Sequence, residues 1–155
     1  GITEHDVWTF TWGSGGLSSG DIIGQQSEGL QRSTLQGFEK IGTGMSYSQP
    51  TFSFPSTGYW IIRAVLSYSA GGARSYVGVQ IRRTTNNSTY STGSLTYSSI
   101  NAGTYATARS ELHTKITDVS NQKIQFRVDM NNDITAYGGT NFLESYFEFI
   151  KIGDI

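Results

Sequence analysis

Residues 50–68 read PTFSFPSTGYWIIRAVLSY, and this stretch decides the fold. A short apolar segment enters a Pro-Ser-Thr-Gly corner at 55–58, and the apolar run that follows is interrupted by Arg63. The run is apolar at both parities, with Trp60, Ile62, Ala64 and Leu66 on one face and Tyr59, Ile61 and Val65 on the other. A strand that is apolar on both faces must be covered on both. The stretch therefore predicts a corner that starts a buried strand, with a neighbouring subunit covering its second face.

Composition favours strands and excludes several classes of protein. Charged residues make up 15% of the 155, whereas Ser, Thr, Asn and Gly are abundant, and the chain has 8 Phe and 9 Tyr. A net charge of -1 argues against a nucleic acid partner and against an anionic membrane surface. No apolar run is long enough to insert into a membrane, and the first residues do not resemble a signal peptide. Cysteine is absent, so thiolate chemistry and sulfur-ligated metals are excluded.

Period-two alternation recurs along the chain and predicts an all-β protein. About eight to ten strands, with Gly- and Asn-rich connectors and no amphipathic helix, predict an antiparallel two-sheet jelly-roll sandwich. We expect a single domain over residues 1–155. Residues 13–20, GSGGLSSG, read as a flexible loop, and 21–45 as short strands and loops. The predicted strands are Glu4–Trp12, Thr51–Phe54, Tyr59–Tyr68, Tyr76–Arg83, Gly93–Ser99, Thr104–Val119, Lys123–Met130 and Phe142–Ile152.

Two segments carry a family resemblance. Residues 37–68, GFEKIGTGMSYSQPTFSFPSTGYWIIRAVLSY, resemble the part of the complement C1q and tumour necrosis factor (TNF) superfamily that leads into its central strand. Residues 141–155, NFLESYFEFIKIGDI, are similar to the last strand of that superfamily. The pieces KIGTGM (40–45), FSFPSTG (52–58) and KIGD (151–154) also resemble uncharacterised structural or fibre-associated proteins of marine bacteriophages. The region before residue 37 matches loosely.

The resemblance implies a ten-stranded jelly roll that forms a compact homotrimer of ligands, adhesion heads or fibre tips rather than enzymes. For this chain it implies a virion surface protein, such as a tail fibre, spike or decoration, located outside the cell and possessing no cofactor. We expect the inner sheet to pack about a threefold axis. The residues predicted at that interface are Tyr59, Ile61, Arg63, Tyr146, Phe147 and Phe149.

Catalytic and metal-binding patterns are sparse. His5 and His113 lack ligand spacing, and His113 lies on the polar face of a strand, so we interpret it as a solvated surface residue. Glu144 and Glu148 would lie about 13 Å apart along one strand. Glycosidase carboxylates lie within about 10 Å of each other. We therefore predict no catalytic residues and expect one of these glutamates to bond Arg63 across the sheet.

One turn imitates the beginning of a calcium loop. Asp129, Asn131 and Asp133 offer oxygen ligands at alternating positions, as a hard cation requires. Ile134 stands where such a loop has glycine, and Thr140 where it has glutamate. Turns rich in Asn and Asp are also ordinary hairpin chemistry. We therefore predict a turn that binds no metal, with calcium at these three residues as the alternative.

Recognition by loops is the remaining hypothesis for function. Connections at 84–94, 100–106 and 131–141 contain Tyr90, Tyr105 and Tyr137 among Ser, Thr and Asn. Rings and adaptable polar groups suit a host-surface glycan or protein. A cluster of Arg74, Arg82 and Arg83 with nearby tyrosines suits a nucleic acid or an acidic sugar, although three arginines on a neutral protein are a weak signal. The alternatives are a purely architectural virion component and a glycan-active enzyme on a jelly-roll scaffold.

Overall fold

The computed structural model describes residues 1–25 and 29–155. A single 3₁₀ turn, Leu35–Gly37, accompanies the strands of this part of the chain. The strands are β1 (Glu4–Phe10), β2 (Ser14–Leu17), β3 (Leu30–Arg32), β4 (Ser46–Ser48), β5 (Thr51–Ser53), β6 (Gly58–Ser69), β7 (Arg74–Thr84), β8 (Tyr90–Ile100), β9 (Tyr105–Ile116), β10 (Lys123–Met130), β11 (Ile134–Tyr137) and β12 (Tyr146–Gly153).

The strands form two antiparallel sheets. In the seven-stranded sheet, β9 pairs with β6 along its whole length. The other side of β6 is shared by β12, opposite residues 59–65, and β11, opposite residues 68–69. β1 and then β3 extend the sheet from β12, and β2 extends it from β11. The five-stranded sheet has the order β4-β5-β10-β7-β8. The predicted all-β, antiparallel two-sheet sandwich is confirmed.

The core lies between the sheets, and strand parity places its side chains. On β6 the residues at even positions are buried, from Trp60 to Tyr68, as the opening stretch predicts. On β10 the predicted apolar face, Ile124 to Met130, is buried as well. Phe52 of β5 contacts Phe126 of β10 and Phe149 of β12, so the aromatic rings join both sheets. Burial of these side chains supplies the main favourable free energy of folding.

The loop prediction for residues 13–20 was wrong in part. β2 occupies 14–17 and pairs with β11. Gly15 lies against the Trp12 ring, and a Cβ atom at that position would be 3.0 Å from two ring carbons. Glycine therefore allows the ring to lie on the strand, a role that composition alone reads as loop. In the 21–45 prediction, β3 and the 3₁₀ turn are observed, whereas 26–28 lie outside the described residues.

Several strand bounds differ from the prediction. β1 ends at Phe10 rather than Trp12, β8 begins at Tyr90 rather than Gly93, and β11 occupies part of the predicted connection 131–141. Two further strands, β12 and β9, are shorter than predicted. β12 begins at Tyr146, and Phe142, the predicted start of this strand, lies exposed in the preceding connection. β9 ends at Ile116, where the side chain of Gln122 accepts hydrogen bonds from the backbone N–H groups of Thr117 and Asp118. These bonds satisfy donors that would otherwise continue the ladder. The aromatic and β-branched content at both ends suits a strand, so local propensity extends the prediction too far.

Candidate functional site

The outer face of the seven-stranded sheet carries most of the predicted interface residues. On β6 and β12 the side chains that do not enter the core alternate with those that do. Tyr59 is 43% exposed and Ile152 is 60% exposed, and both lie beside Lys115 of β9. The outer face, as named here, comprises Tyr59, Ile61, Arg63, Val65, Tyr146, Glu148, Ile150 and Ile152, with the adjoining side chains of β1 and β9.

Two of the six predicted interface residues lie elsewhere. Phe147 and Phe149 are both 0% exposed and pack against Phe126 between the sheets. Their inclusion was wrong, because odd positions of β12 enter the core whereas Tyr146 at an even position does not. A side chain buried within its own subunit has no surface to offer a partner. Tyr59, Ile61, Arg63 and Tyr146 lie on the outer face.

A continuous row of two histidines, two glutamates and Arg63 crosses this face over four strands. His5 Nε2 on β1 lies 2.8 Å from Glu148 Oε2 on β12. Arg63 on β6 donates from Nη1 to Glu148 Oε1 at 3.1 Å and from Nε to Glu111 Oε1 at 2.5 Å. On β9, Glu111 Oε2 lies 2.8 Å from His113 Nε2. Both histidines of the chain thus stand at the ends of one row, each hydrogen-bonded to a glutamate, with the ion pairs of Arg63 at its centre.

The row fixes the charge state of its central groups. Hydrogen bonds from Arg63, and then from His113, hold the pKa of the Glu111 carboxyl below its usual range. Hydrogen bonds to Glu111, and then to Glu148, raise the pKa of the Arg63 guanidinium. Arg63 therefore stays charged, with two carboxylates satisfying it on an otherwise apolar surface. The expectation that Glu144 or Glu148 bonds Arg63 across the sheet is confirmed, and the partner is Glu148.

Arg63→Gln is expected to raise the pKa of the Glu111 carboxyl toward its ordinary value, measured by carboxyl-carbon NMR titration. The folded-state pKa of Glu111 is depressed, so its stabilisation is complete above the unfolded-state pKa and is lost as pH falls through the folded-state pKa. Solvent screening keeps this contribution small, since Glu111 is exposed. The matched control, Lys115→Gln, removes a cation from β9, the strand that carries Glu111, and should leave the Glu111 titration unchanged. An unshifted Glu111 in the Arg63 variant would contradict the assignment.

The two histidines differ in their surroundings. His113 is 67% exposed, consistent with a surface residue, although it contacts Glu111. His5 is 19% exposed and packs against the ring of Phe38, with ring centroids 4.9 Å apart. Sequence reasoning missed His5 as a member of the row. Alternation along β1 marks its face, but its partner Glu148 is 143 residues away.

The three predicted recognition tyrosines do not form one site. Tyr90 begins β8 and pairs with Thr84, at the end of the sandwich where β7 finishes. Tyr105 and Tyr137 lie at the opposite end, with ring centroids 5.5 Å apart and the Tyr137 hydroxyl 2.6 Å from that of Ser69. All three tyrosines were predicted in loops, but each lies at the end of a strand, in β8, β9 and β11. Tyr105 and Tyr137 form one pair, and Tyr90 belongs to another surface.

The calcium prediction gains no support from the geometry. The Asp129 carboxylate accepts a hydrogen bond from Gln80 and lies 3.4 Å from Arg127, while Asn131 accepts from the backbone N–H of Tyr76. These contacts occupy oxygens that a cation would need. Among residues 1–25 and 29–155, no three acidic or histidine side chains are grouped so that they could hold a metal ion.

The predicted arginine cluster is dispersed. Arg74 donates to the Asp133 carbonyl through Nε and Nη2, at one end of the sandwich. Arg82 lies over the Tyr90 ring near the other end, with its guanidinium carbon 5.9 Å from the centroid. Arg83 is adjacent to Arg82 in a strand and so projects to the opposite side of the sheet. In the part of the chain that the structure describes, no helix has the length and apolarity to cross a membrane.

Comparison with known proteins agrees with this architecture. No family model and no curated protein matches the chain. The solved structure of Eiger TNF from S. frugiperda matches 100% of this chain and 96% of its own, with a TM-score of 0.69 and 11% identity. Murine APRIL at pH 5.0 matches 96% of this chain and 99% of its own, with a TM-score of 0.63 and 12% identity. The chain therefore has the antiparallel two-sheet jelly-roll fold of the TNF type.

Proposed function

We propose that this chain is a non-enzymatic head domain that acts as a homotrimer. One observation carries the proposal: the outer face of the seven-stranded sheet exposes Tyr59 and Ile152 beside the half-buried Ile61, Tyr146 and Ile150. Contiguous apolar surface of this kind marks an association site. Residues 37–68 and 141–155 resemble the C1q and TNF superfamily, which forms homotrimers. This resemblance supports three copies packed around an axis, with this face at the interface.

The row of ion pairs suits burial at such an interface. Arg63 has two carboxylate partners in its own subunit, so association does not leave its charge unpaired. A threefold interface would then combine apolar contacts with charges that are already satisfied. Val65 and Val7, both on this face, are nearly covered within one chain, so the partner would contact the exposed residues around them.

We further propose that the trimer belongs to a virion fibre, spike or decoration of a bacteriophage and stands on the virion surface, outside the cell. This placement rests on the resemblance of residues 40–45, 52–58 and 151–154. Its role would be recognition of a host-surface glycan or protein. A purely architectural virion component is the alternative, and it predicts an intact trimer that retains no host-surface ligand. Proteomic analysis of purified particles tests the placement.

A glycan hydrolase is disfavoured by the arrangement of the carboxylates. Glu111 and Glu148 lie on either side of Arg63 and are both bonded to it. Arg63 and Glu111 line an open pocket next to β8, whereas Glu148 does not, so the two carboxylates do not converge in one cleft. A general acid needs a raised pKa, whereas the Glu111 pKa is lowered. Glu144 lies in the connection before β12.

Sedimentation equilibrium tests self-association. The natural chain is expected to sediment as a trimer at micromolar concentration. Tyr59→Ser combined with Ile152→Asp should weaken association by at least about tenfold, because the two changes remove apolar contact area and require a carboxylate to be desolvated at the interface. Both side chains are exposed in one subunit, so circular dichroism should stay unchanged. Tyr97→Ser, an exposed tyrosine of the other sheet, is the matched control and should remain trimeric. A natural chain that sediments as a stable monomer would contradict the proposal.

A further inference from the structure

The outward surface of the five-stranded sheet carries a net positive charge. Arg82 of β7 and Lys123 and Arg127 of β10 share this surface with the Asp129 carboxylate. The part of this surface between Tyr97 and Tyr90 is called the strip below. Its three cations and one acid give it a net charge of +2, whereas the whole chain has -1. The strands β4, β5 and β8 contribute no charged residue to it. The strip is therefore complementary to a negatively charged ligand.

An exposed pair of tyrosines forms one end of the strip. Tyr97 of β8 pairs with Gly78 of β7, and its ring lies over that glycine, where a Cβ atom would come 2.6 Å from a ring carbon. Tyr97 is nevertheless 57% exposed to solvent. Tyr76 stands perpendicular to it, with centroids 5.5 Å apart and an interplanar angle of 86°. Glycine thus allows an aromatic ring to lie across the sheet and offer its other side to a ligand.

A polar network lies next to the ring. Asp129 of β10 pairs with Gly78 of β7, which pairs on its other side with Tyr97 of β8. Its carboxylate accepts from the Gln80 amide and lies 3.4 Å from Arg127, and the Gln80 carbonyl oxygen accepts from the Thr92 hydroxyl at 3.0 Å. Because these side chains hold one another in place, their remaining donors and acceptors are preorganised for ligand hydroxyls and carboxylates.

The other end of the strip combines a second ring with a polar pocket. The Arg82 guanidinium lies over the Tyr90 ring, beside an open pocket of about 490 Å³. Lys123 Nζ donates to Ser53 Oγ at 2.8 Å, and the Gln125 amide donates to Thr51 Oγ1 at 2.9 Å. Hydroxyls, amides and one ammonium therefore line this end. The pocket residues are Ser48, Gln49, Thr51, Ser53, Asn87, Tyr90, Lys123 and Gln125.

The two ends are spaced for an extended chain of sugars. Gly78, under Tyr97, and Thr84, opposite Tyr90, are separated by six steps of one strand. At about 3.3 Å for each residue, the strip is roughly 20 Å long. A long ligand with repeated units could then contact both rings and all three cations at once, and linked weak contacts give much higher avidity than either alone.

We propose that this strip binds an anionic polysaccharide. The apolar C–H face of a sugar ring would stack on Tyr97, and a second sugar would contact Tyr90. Carboxylate or sulfate groups would receive hydrogen bonds from Arg82, Arg127 and Lys123. The site gives a chemical class to the recognition role proposed above, on which it rests. It lies on the opposite sheet from the self-association face, so a trimer would present three copies.

A polysaccharide explains the strip better than a nucleic acid does. Nucleic acid binding draws most of its affinity from many phosphate contacts and a strong basic excess. Here three cations share their surface with Asp129 and with abundant hydroxyl and amide groups. Those neutral groups suit sugar hydroxyls.

Isothermal titration calorimetry with defined probes tests the site. Hyaluronan supplies carboxylates, dextran sulfate supplies sulfates, dextran is the neutral comparison, and single-stranded oligothymidine represents nucleic acid. Binding of hyaluronan, dextran sulfate or both, with no binding of dextran, is expected and identifies the anionic group. Equal binding of dextran, tighter binding of oligothymidine, or no binding of either anionic polysaccharide would overturn the proposal.

Variants locate the binding to the strip. Tyr97→Ala and the pair Arg82→Gln with Arg127→Gln should each raise the Kd about tenfold. The controls Tyr105→Ala and Arg109→Gln remove an exposed tyrosine and a cation on the other sheet and should leave the Kd unchanged. Unaltered binding in the strip variants would refute the site. Sedimentation of the same samples separates the two proposals: a monomer that still binds removes the trimer alone, and a trimer that does not bind removes the strip alone.

Discussion

Phe149→Ala is expected to lower the free energy of unfolding by about 4 kcal/mol, because large-to-small core substitutions lose both burial and packing. The Phe149 ring is fully buried, with centroid distances of 5.0 Å to Phe52, 6.0 Å to Phe126 and 6.4 Å to Phe54. These three rings lie on or beside β5 and β10, so the cavity would open between the sheets. Urea unfolding followed by tryptophan fluorescence measures the change.

The control for this substitution is Ile152→Ala on the same strand. Ile152 is exposed, so the free energy of unfolding of the subunit should change by less than about 0.5 kcal/mol. The pair separates a core role from an interface role. If Phe149→Ala instead left the unfolding curve unchanged and reduced association, the interface role predicted for Phe149 from the sequence would be restored.

Gly58→Ala is expected to cost about 3 kcal/mol of unfolding free energy, through backbone strain together with a steric clash. Gly58 has φ +148°, which L-residues rarely adopt. A Cβ atom there would lie 2.6 Å from the Gly153 carbonyl oxygen and 2.5 Å from Lys151 Cε. The lysine side chain can move, whereas the carbonyl belongs to the paired strand β12. Thermal and urea unfolding both measure the loss.

Gly71→Ala is the matched control for the corner. No atom lies within 4 Å of a Cβ built at Gly71, and its φ is not in the positive region. The substitution should be neutral or stabilise slightly, since alanine reduces the conformational entropy of the unfolded chain. Equal effects of the two substitutions would contradict the corner's structural role. The expected difference would show that the Pro-Ser-Thr-Gly corner has a structural role, and that this backbone conformation requires glycine at position 58.

The outer face of β6 shows how far sequence parity reaches. Alternation correctly separates Trp60 and Ile62, which enter the core, from Tyr59 and Ile61, which do not. It also contains the information that Phe147 and Phe149 belong to the core, because they share a parity opposite to Tyr146. The predicted interface nevertheless grouped aromatic residues from both parities. Side-chain period is a local property of a strand, and it must be applied residue by residue.

The ion-pair row shows what parity cannot supply. The sequence places Glu111 and His113 on one face of a strand, but it does not say that Arg63 pairs with Glu111 or that His5 meets Glu148. Those contacts join residues 48 and 143 positions apart. Which strands become neighbours depends on the whole topology, and register then fixes which side chains stand opposite.

By itself, the sequence determined the all-β class, the corner before β6, and most of the strands with their buried faces. These follow from period-two alternation and turn chemistry, which act over a few residues. Only the tertiary structure decided that residues 14–17 form a strand, that Tyr90 lies far from Tyr105 and Tyr137, and that Tyr97 covers Gly78. These outcomes depend on pairing between segments distant in the chain, and local patterns carry no information on which segments pair.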